Sequence, residues 1–377
     1  MKISNLRPYL LKTCLLPSAF CLLPYFATAQ NLQSVGQSES GEIIWYNALD
    51  IGLTGQAWGE LDHPYDRLPR KAQGVVRDPV WRLGTNSSGL SVHFQTNSKT
   101  IRVKWTVRYN NSMWHMTDCG IRGVDLYMND NGIWRYAGSG SPGSGTANEQ
   151  EILSEMDGEV RNYHLNLPLY DGIDTLWIGV EQNSVIQASS LLEGKPLVIY
   201  GTSIQQGGCA SRPGMASSNI LSRQLNREVI NLGFSGNGRM EMEVAELIAE
   251  IDAYALGFDC LPNLHNLDVI YPRYMEFVWF IRKKRPDTPI FLVETATTVK
   301  SAIVPADLEQ LNPQNEELGK AFKTLKAEGI KKLYLIAGDD LIGTDQEGTV
   351  DGVHYTDLGF LRYAEKVGRI VGKKLNK

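Results

Sequence analysis

The chain has 377 residues, with 37 Lys and Arg against 42 Asp and Glu and a formal net charge of −5. Hydrophobic residues make up 42% and charged residues 21%, which excludes a disordered or fibrous chain, and the length suggests about two domains. The acidic balance argues against a nucleic-acid partner, because phosphates call for a basic face.

The first 29 residues have the pattern of a secretory signal peptide. A basic start is followed by an apolar stretch over residues 15–26 and by the small-residue cleavage site Ala27-Thr28-Ala29. Pro17 and Pro24 interrupt the stretch, which argues against a membrane anchor. We therefore predict that residues 1–29 are cleaved and that the protein is exported, to the periplasm or beyond the cell. Cleavage removes three cations and no anion, so the mature charge becomes −8, and no transmembrane segment is expected in the mature chain.

Residues 30–190 consist of short β-like segments punctuated by Gly, Asn and Ser. Residues 101–109 alternate between apolar and polar side chains, which predicts a half-buried strand. Residues 129–132 offer turn formers between two β-prone runs, which predicts a hairpin over 127–136. Further strands are predicted over 90–94, 165–169 and 175–180. This pattern is typical of a β-sandwich or jelly roll, so an accessory domain is expected over 30–190.

Residues 191–377 change to compact apolar strands that alternate with helical segments. The pattern predicts helices over 215–226 and 240–251. Strands are predicted over 196–200, 229–232, 254–258, 290–293 and 333–336. Such alternation predicts a five-stranded parallel sheet covered by helices on both faces, an α/β domain of three layers.

Residues with catalytic chemistry follow the predicted strands of this second domain. Active residues collect at the carboxyl ends of strands in open α/β sheets. Ser203 follows the first strand and could be a nucleophile, while His354, with Asp351 three residues before it, could be its base and orienting carboxylate. Gly236 could offer a backbone amide, and Asn263 a side-chain amide, to a developing oxyanion. Together these residues predict a serine hydrolase.

In these residues the second domain resembles the SGNH hydrolases, also called the GDSL esterase/lipase family. The matching blocks are residues 200–203, 231–237, 259–263 and 351–354. The resemblance implies a flavodoxin-like fold, with Ser203 as nucleophile, His354 as general base and Asp351 as its partner. It also implies an oxyanion hole made of the Ser203 and Gly236 amides and the Asn263 side chain. Two departures stand out: Thr202 replaces the usual aspartate, and the block around Asn263 lacks its usual glycine and aspartate.

The first domain resembles the β-rich GxDLY domain that precedes one branch of these hydrolases. Residues 123–127 read Gly-Val-Asp-Leu-Tyr, and residues 65–69 and 77–81 also look like that branch. The resemblance implies that a threonine directly before the serine, as Thr202 is here, is usual in that branch. Together, the resemblances of the two domains cover nearly all of the mature chain.

Export and the flavodoxin-like strand order lead to an expectation about the cysteines. Removal of residues 1–29 leaves Cys119, Cys209 and Cys260. Cys209 and Cys260 follow the ends of neighbouring strands in that order, so a Cys209–Cys260 disulfide is possible, with two buried free thiols as the alternative.

Metal ions and cofactors are not expected. No Cys-x-x-Cys occurs, and the histidines outside the predicted triad lack paired metal spacing. Acyl transfer by a triad needs no cofactor. Five aromatic residues of the first domain could stack on sugar rings or could be core residues: Trp105, Tyr109, Trp114, Tyr127 and Trp134.

The function predicted from the sequence is an exported esterase that removes acyl groups, most plausibly acetyl groups, from a carbohydrate. One alternative is a lipase or lysophospholipase that acts on longer acyl esters. A second is a carbohydrate-binding protein without catalysis. A glycan or small-molecule ester is the expected partner, and the oligomeric state stays open.

Overall fold

The computed structural model describes residues 32–189 and 192–375. The predicted signal peptide, residues 1–29, lies outside this range. Across the described residues, no helix combines the length and the apolar character that a membrane crossing requires.

Eleven strands of the first half form two antiparallel sheets. Their bounds are β1 Ser34–Gln37, β2 Ile43–Asn47, β3 Leu53–Thr54, β4 Ser91–Thr96, β5 Ile101–Val107, β6 Val124–Asp130, β7 Ile133–Gly140, β8 Ala147–Leu153, β9 Arg161–Asn166, β10 Ile173–Glu181 and β11 Ile186–Ala188. One sheet has the order β1-β2-β10-β5-β8, and the other has the order β11-β4-β9-β6-β7 with β3 paired to β4. Three short helices lie between strands: α1 Ala48–Ile51, α2 Asp78–Gly84 and α3 Asp118–Arg122.

The local sequence explains the strands of the sandwich. Along β5 the apolar residues are buried and the polar residues between them are half-buried, as the alternation predicts. The hairpin of β6 and β7 turns at Asn131 and Gly132, which both have positive φ. The strand predicted over 165–169 begins earlier, at Arg161, and ends at Asn166. Pro168, which has no N–H to donate, suits the end of the pairing.

The second half forms one parallel sheet with helices on both faces. Its strands are β12 Leu197–Gly201, β13 Val229–Gly233, β14 Ala255–Asp259, β15 Ile290–Val293 and β16 Leu333–Ile336, in the order β13-β12-β14-β15-β16. Its helices are α4 Ser203–Gln206, α5 Ser217–Leu225, α6 Met242–Ile248, α7 Leu267–Lys284, α8 Val299–Ile303, α9 Pro305–Ala327 and α10 Asp357–Leu375. This is the flavodoxin-like order, and the predicted fold class is confirmed.

The two halves share their hydrophobic cores. Alternate residues of β12 enter different cores, Val198 on one face of the sheet and Ile199 on the other. The first half adds Leu68 to the first of these cores and Tyr170 to the second. A third core fills the space between the two antiparallel sheets. Because of this sharing, the residues from Leu32 onward form one compact unit.

Candidate active site

Ser203 lies at the turn between β12 and α4. Thr202 caps the helix, since its side chain accepts a hydrogen bond from the Ile204 amide at 3.3 Å. The threonine that replaces the usual aspartate therefore defines where the helix begins. Ser203 is the first helical residue and is only 8% exposed. Its hydroxyl is held in a fixed position at the carboxyl end of the sheet.

The structure brings Ser203, His354 and Asp351 into one chain of hydrogen bonds. Ser203 Oγ lies 2.9 Å from His354 Nε2, and His354 Nδ1 lies 2.7 Å from Asp351 Oδ2. The His354 Nδ1–H donates to the carboxylate, and Nε2 then accepts the serine hydroxyl. This is the arrangement in which an imidazole can remove the serine proton.

Asp351 is fixed by its own loop. Its Oδ1 accepts the backbone N–H groups of Val353 at 3.0 Å and His354 at 2.8 Å. Burial raises the pKa of Asp351, but the hydrogen bonds from the His354 ring and from the two amides outweigh burial, so the pKa lies below its usual value. Asp351 therefore stays ionised and can stabilise a protonated imidazole.

Three N–H groups near Ser203 are suited to an oxyanion. Within the described residues, neither the Ser203 amide nor the Gly236 amide has a protein acceptor. Asn263 Oδ1 accepts the Gly238 N–H at 3.2 Å, which leaves the Asn263 Nδ2 group free to donate. Gly236 has φ of +67°, and a side chain at Gly238 would overlap the Gly201 carbonyl. These glycines let the loop after β13 lie against the end of β12.

Arg77 of the first half binds this same loop. Its guanidinium donates to the Asn237 side chain at 2.8 Å, to the Asn237 carbonyl at 3.2 Å and to Glu241 at 2.7 Å. The residue lies in one of the segments that resemble the branch, but sequence reasoning assigned it no role. Its partners are 160 or more positions away, so no local spacing could reveal the contact.

Arg67 is a second brace from the first half and is 2% exposed. Its Nη1 donates to the carbonyls of Asn231 at 3.0 Å and Gly233 at 2.9 Å, at the end of β13. Its Nε donates to Asn86 at 2.8 Å. Burial lowers the pKa of this guanidinium, whose donors are satisfied by neutral carbonyl groups. Arg67 thereby ties a sandwich loop to the strand that precedes the Gly236 loop.

The GxDLY motif binds the chain that follows the nucleophile. Asp125 is fully buried, and its Oδ2 accepts from Arg212 at 2.6 Å and from the Gly214 amide at 2.9 Å. Arg212 also donates to the Tyr127 hydroxyl at 2.7 Å. The acidic and aromatic members of the motif therefore hold the segment between α4 and α5.

A loop of the first half, residues 110–117, reaches the triad. The His115 ring lies edge to face with the His354 ring at 5.4 Å between centroids, and Trp114 stacks on His115 at 4.7 Å. His115 is not among the residues predicted to be catalytic. Its place beside the triad depends on how the halves pack, and nothing in its local sequence indicates it.

Four side chains beside the nucleophile could together hold a metal ion. Donor atoms of His115, Cys209, Asp351 and His354 lie within 4.8 Å of one another, and this set of nitrogen, sulfur and oxygen atoms suits zinc. Asp351 and His354 already bind each other, so a metal would compete with the triad's hydrogen bonds. That the protein needs no metal ion remains a prediction.

The possible Cys209–Cys260 disulfide is not formed. Cys119, Cys209 and Cys260 are all free. The Cys260 thiol points into a core and contacts the Tyr200 carbonyl at 3.6 Å, whereas the Cys209 thiol faces the triad. The two residues follow neighbouring strands, but their side chains have different surroundings. Burial and the Asp351 charge raise the pKa of Cys209 to about 12, so its thiol is a poor nucleophile.

A cavity of about 230 Å³ adjoins the start of α4 and the loop of residues 351–354. Its lining is more apolar than polar and includes Ile204, next to the nucleophile, and Val353, next to His354. Leu311 and Thr298 contribute from the region of α8 and α9. The cavity is therefore placed to accept a part of a substrate that binds at Ser203.

Two family profiles match the chain in succession. The GxDLY profile, described as the N-terminus of Esterase_SGNH_hydro-type, matches residues 43–186. The profile of the GDSL-like lipase/acylhydrolase family matches residues 194–372. Among curated proteins, none matches the chain.

Solved structures resemble the chain over most of its length. A protein from Bacteroides ovatus ATCC 8483 described as a GDSL-like lipase is 39% identical, with a TM-score of 0.84 over 89% of this chain and 98% of that one. Salicylyl-acyltransferase SsfX3 from a tetracycline biosynthetic pathway is 16% identical, with a TM-score of 0.70 over 86% and 95%. A family two carbohydrate esterase from Clostridium thermocellum, in complex with cellohexaose, is 11% identical, with a TM-score of 0.54 over 76% and 92%. The latter two share the fold alone.

Proposed function

Because the chain belongs to the GDSL-like lipase/acylhydrolase family with a GxDLY N-terminal domain, we propose that it is an exported serine esterase that removes acetyl groups from a carbohydrate. The observation that carries the proposal is the hydrogen-bonded chain from Asp351 through His354 to Ser203. The N-terminal pattern supports export. The fold shared with a carbohydrate esterase supports the substrate class.

In the acylation step, Ser203 Oγ attacks the ester carbonyl carbon while His354 Nε2 takes the hydroxyl proton. The carbonyl oxygen becomes an oxyanion, which the amides of Ser203 and Gly236 and the Asn263 side chain can bind. The Asp351 carboxylate stabilises the imidazolium. When the carbon–oxygen bond to the sugar breaks, His354 gives its proton to the departing alcohol. The acyl group stays on Ser203.

In the deacylation step, water releases the acyl group from Ser203. His354 Nε2 removes a proton from the water, whose oxygen attacks the carbonyl carbon of the acyl-serine. The same N–H groups bind the second oxyanion. His354 then returns the proton to Ser203 Oγ as the bond to the serine breaks, and the acid leaves. No group outside the chain is consumed except water.

Replacement of the nucleophile tests this proposal. We expect Ser203→Ala to lower the rate of p-nitrophenyl acetate hydrolysis by at least about 10³-fold, since the triad acts as a unit. The control is Ser184→Ala, which removes a hydroxyl from a turn of the sandwich. Circular dichroism of both variants should match the wild-type protein. A folded Ser203→Ala variant with wild-type activity would overturn the proposal.

The cavity beside Ile204 and Val353 favours a second candidate, an esterase for longer acyl groups. The cavity is more apolar than polar in its lining and extends from Ile204 to Leu311 of α9, which suits an acyl chain longer than acetyl. Rates with p-nitrophenyl acetate and octanoate distinguish the two candidates. A higher kcat/KM for acetate supports deacetylation, and a higher kcat/KM for octanoate supports a lipase or lysophospholipase.

A further inference from the structure

We propose that Trp114 is a binding platform for a pyranose ring on the alcohol side of the substrate. The proposal rests on the esterase function proposed above and names a specificity-determining residue for it. Its starting point is exposure: Trp114 is 87% exposed, whereas Trp105 at 1% and Tyr127 at 5% are buried in the same half. Exposure of one tryptophan is common at a protein surface, but this indole also stacks on His115, whose ring contacts His354.

The loop that carries Trp114 is anchored on both sides. Before Trp114, the Asp171 carboxylate accepts the amides of Tyr109 at 2.9 Å and Asn111 at 2.8 Å. After it, Met116 is buried in the core that the two halves share. The indole is therefore presented by a constrained loop, which lowers the conformational entropy lost when a ligand binds.

A short series of rings connects Trp114 to the catalytic base. The indole lies parallel to the His115 ring, at 4.7 Å and 21°, and His115 meets His354 at 5.4 Å and 70°. Trp114 thus stands two ring contacts from the imidazole that protonates the departing alcohol. A sugar whose ester lies at Ser203 could reach the indole with the same or the adjoining ring.

The cavity and the platform lie in different places around the loop of residues 351–354. The cavity is lined by Ile204, Val353 and residues of the second half, and no residue of the 110–117 loop lines it. If the cavity takes the acyl group, the alcohol part of the ester is left to the side of His115 and Trp114.

The chemistry of the loop suits a sugar. One face of a pyranose presents C–H groups, which stack on an indole, while the hydroxyl groups at its edge need hydrogen-bonding partners. Ser112, exposed on the same loop, can supply such a partner, and so can the Asn111 side-chain oxygen, whose neighbouring Nδ2 donates to the Tyr170 carbonyl at 2.7 Å. Lipid acyl chains would instead require a continuous apolar surface, and the loop does not provide one, because Met113 and Met116 pack against the core and leave Trp114 as the exposed apolar side chain.

The first test compares a sugar ester with an ester that has no sugar. For Trp114→Ala we expect the ratio of kcat/KM on acetylated xylo-oligosaccharide to kcat/KM on p-nitrophenyl acetate to fall about tenfold, mainly through KM. Trp114→Phe, which keeps an aromatic face, should recover most of the ratio. The matched control is Trp279→Ala, a 42% exposed tryptophan on α7. Position 279 is about 18 Å along the helix from the end that follows β14, at 1.5 Å per residue, and the variant should keep the wild-type ratio.

The second test measures binding without turnover. Ser203→Ala is titrated with acetylated xylohexaose by calorimetry, and the double variant Ser203→Ala/Trp114→Ala should bind about tenfold more weakly. Equal affinities, or a Ser203→Ala protein that binds no oligosaccharide, would overturn the platform. An unchanged ratio in the first test would do the same, and so would a loss on octanoate ester in place of the sugar ester. The proposed esterase function is judged separately, by p-nitrophenyl acetate turnover in the wild-type protein.

Discussion

The parallel-sheet half of the molecule carries the hydrogen-bonded Ser203, His354 and Asp351, whereas the antiparallel half carries arginines that bind the segments beside them. Ser203, Asp351 and His354 all belong to the second half, close to the carboxyl ends of its strands. Arg67 and Arg77 belong to the first half, and they bind the end of β13 and the loop that contains Gly236. The sandwich therefore does more than lie next to the hydrolase fold, because its arginines bind the segments that flank Ser203.

The halves also differ in the titratable groups that they bury. The first half buries a pair of tilted imidazoles, His93 and His164, with ring centroids 3.9 Å apart, and burial lowers the pKa of His93 to about 4. The second half buries Asp259 between Gln205 and Tyr363. Burial raises the pKa of Asp259 to about 6, although hydrogen bonds from these two partners act against the rise.

The largest expected effect is on the pH dependence of folding stability, to which His93 and Asp259 contribute in opposite directions. His93 has a folded pKa below its ordinary 6.5, so its contribution to stability is present above pH 6.5 and is lost as the pH falls towards 4. Asp259 has a folded pKa above its ordinary 3.8, so its contribution is present below that value and is lost as the pH rises through about 6. The two groups therefore oppose each other between about pH 4 and 6.5.

The free energy of unfolding, measured in urea at pH 4.5 and pH 7.5, shows these opposite contributions. Relative to the wild-type protein, His93→Gln should gain stability at pH 4.5 over pH 7.5, and Asp259→Asn should show the reverse. Each change is at most about 3 kcal/mol, at 1.36 kcal/mol per pH unit. Each variant is the control for the other. If the unfolding free energies of both variants changed with pH in the same direction, the predicted difference between the halves would be wrong.

Removal of Arg77 tests whether the first half supports the oxyanion donors. We expect Arg77→Ala to lower kcat on p-nitrophenyl acetate about tenfold with a smaller change in KM, because the Gly236 amide would lose its fixed position. Loss of a whole donor costs about 10²- to 10³-fold, and a brace should cost less. Arg70→Ala, which removes a 67% exposed arginine of the same half, should keep the wild-type kcat. An unchanged kcat in Arg77→Ala would confine the first half to a structural role.

The smallest effect is expected from metal removal. EDTA should leave p-nitrophenyl acetate hydrolysis unchanged, since the hydrogen bonds of Asp351, His354 and Ser203 already supply base and orientation. Added Zn²⁺ should lower the rate, because His115 and Cys209 could hold it against His354. The inhibition should weaken in Cys209→Ser. Loss of activity in EDTA, restored by zinc, would show that the second half needs more than its triad.

Much of this arrangement was predictable from local pattern. The strands β12 to β16 are short apolar runs bounded by polar loops, so their positions follow from hydrophobic periodicity. The loop from Asp351 to His354 is also local, since three residues separate the carboxylate from the imidazole that it binds. The hairpin turn at Asn131 and Gly132 follows from the positive φ that both residues adopt readily.

Features that join distant segments were not predictable in this way. The cysteines show why: Cys209 and Cys260 follow neighbouring strands, yet one thiol faces the triad and the other lies in a core. Strand order indicated that the residues would be near each other, but not where their side chains point. The positions of Arg77 and His115 beside the site depend likewise on packing between the halves.

By itself, then, the amino-acid sequence determined the order of elements, the family and the residues of the predicted triad, because periodicity, turn chemistry and short motifs act over a few residues. Tertiary structure alone decided that the thiols stay free, that Arg67 binds the end of β13 and that Arg77 binds the loop after it. It also decided that Trp114 stands in solvent near His354. Those outcomes depend on which buried surfaces meet when two halves share a core, and such contacts join positions a hundred or more residues apart.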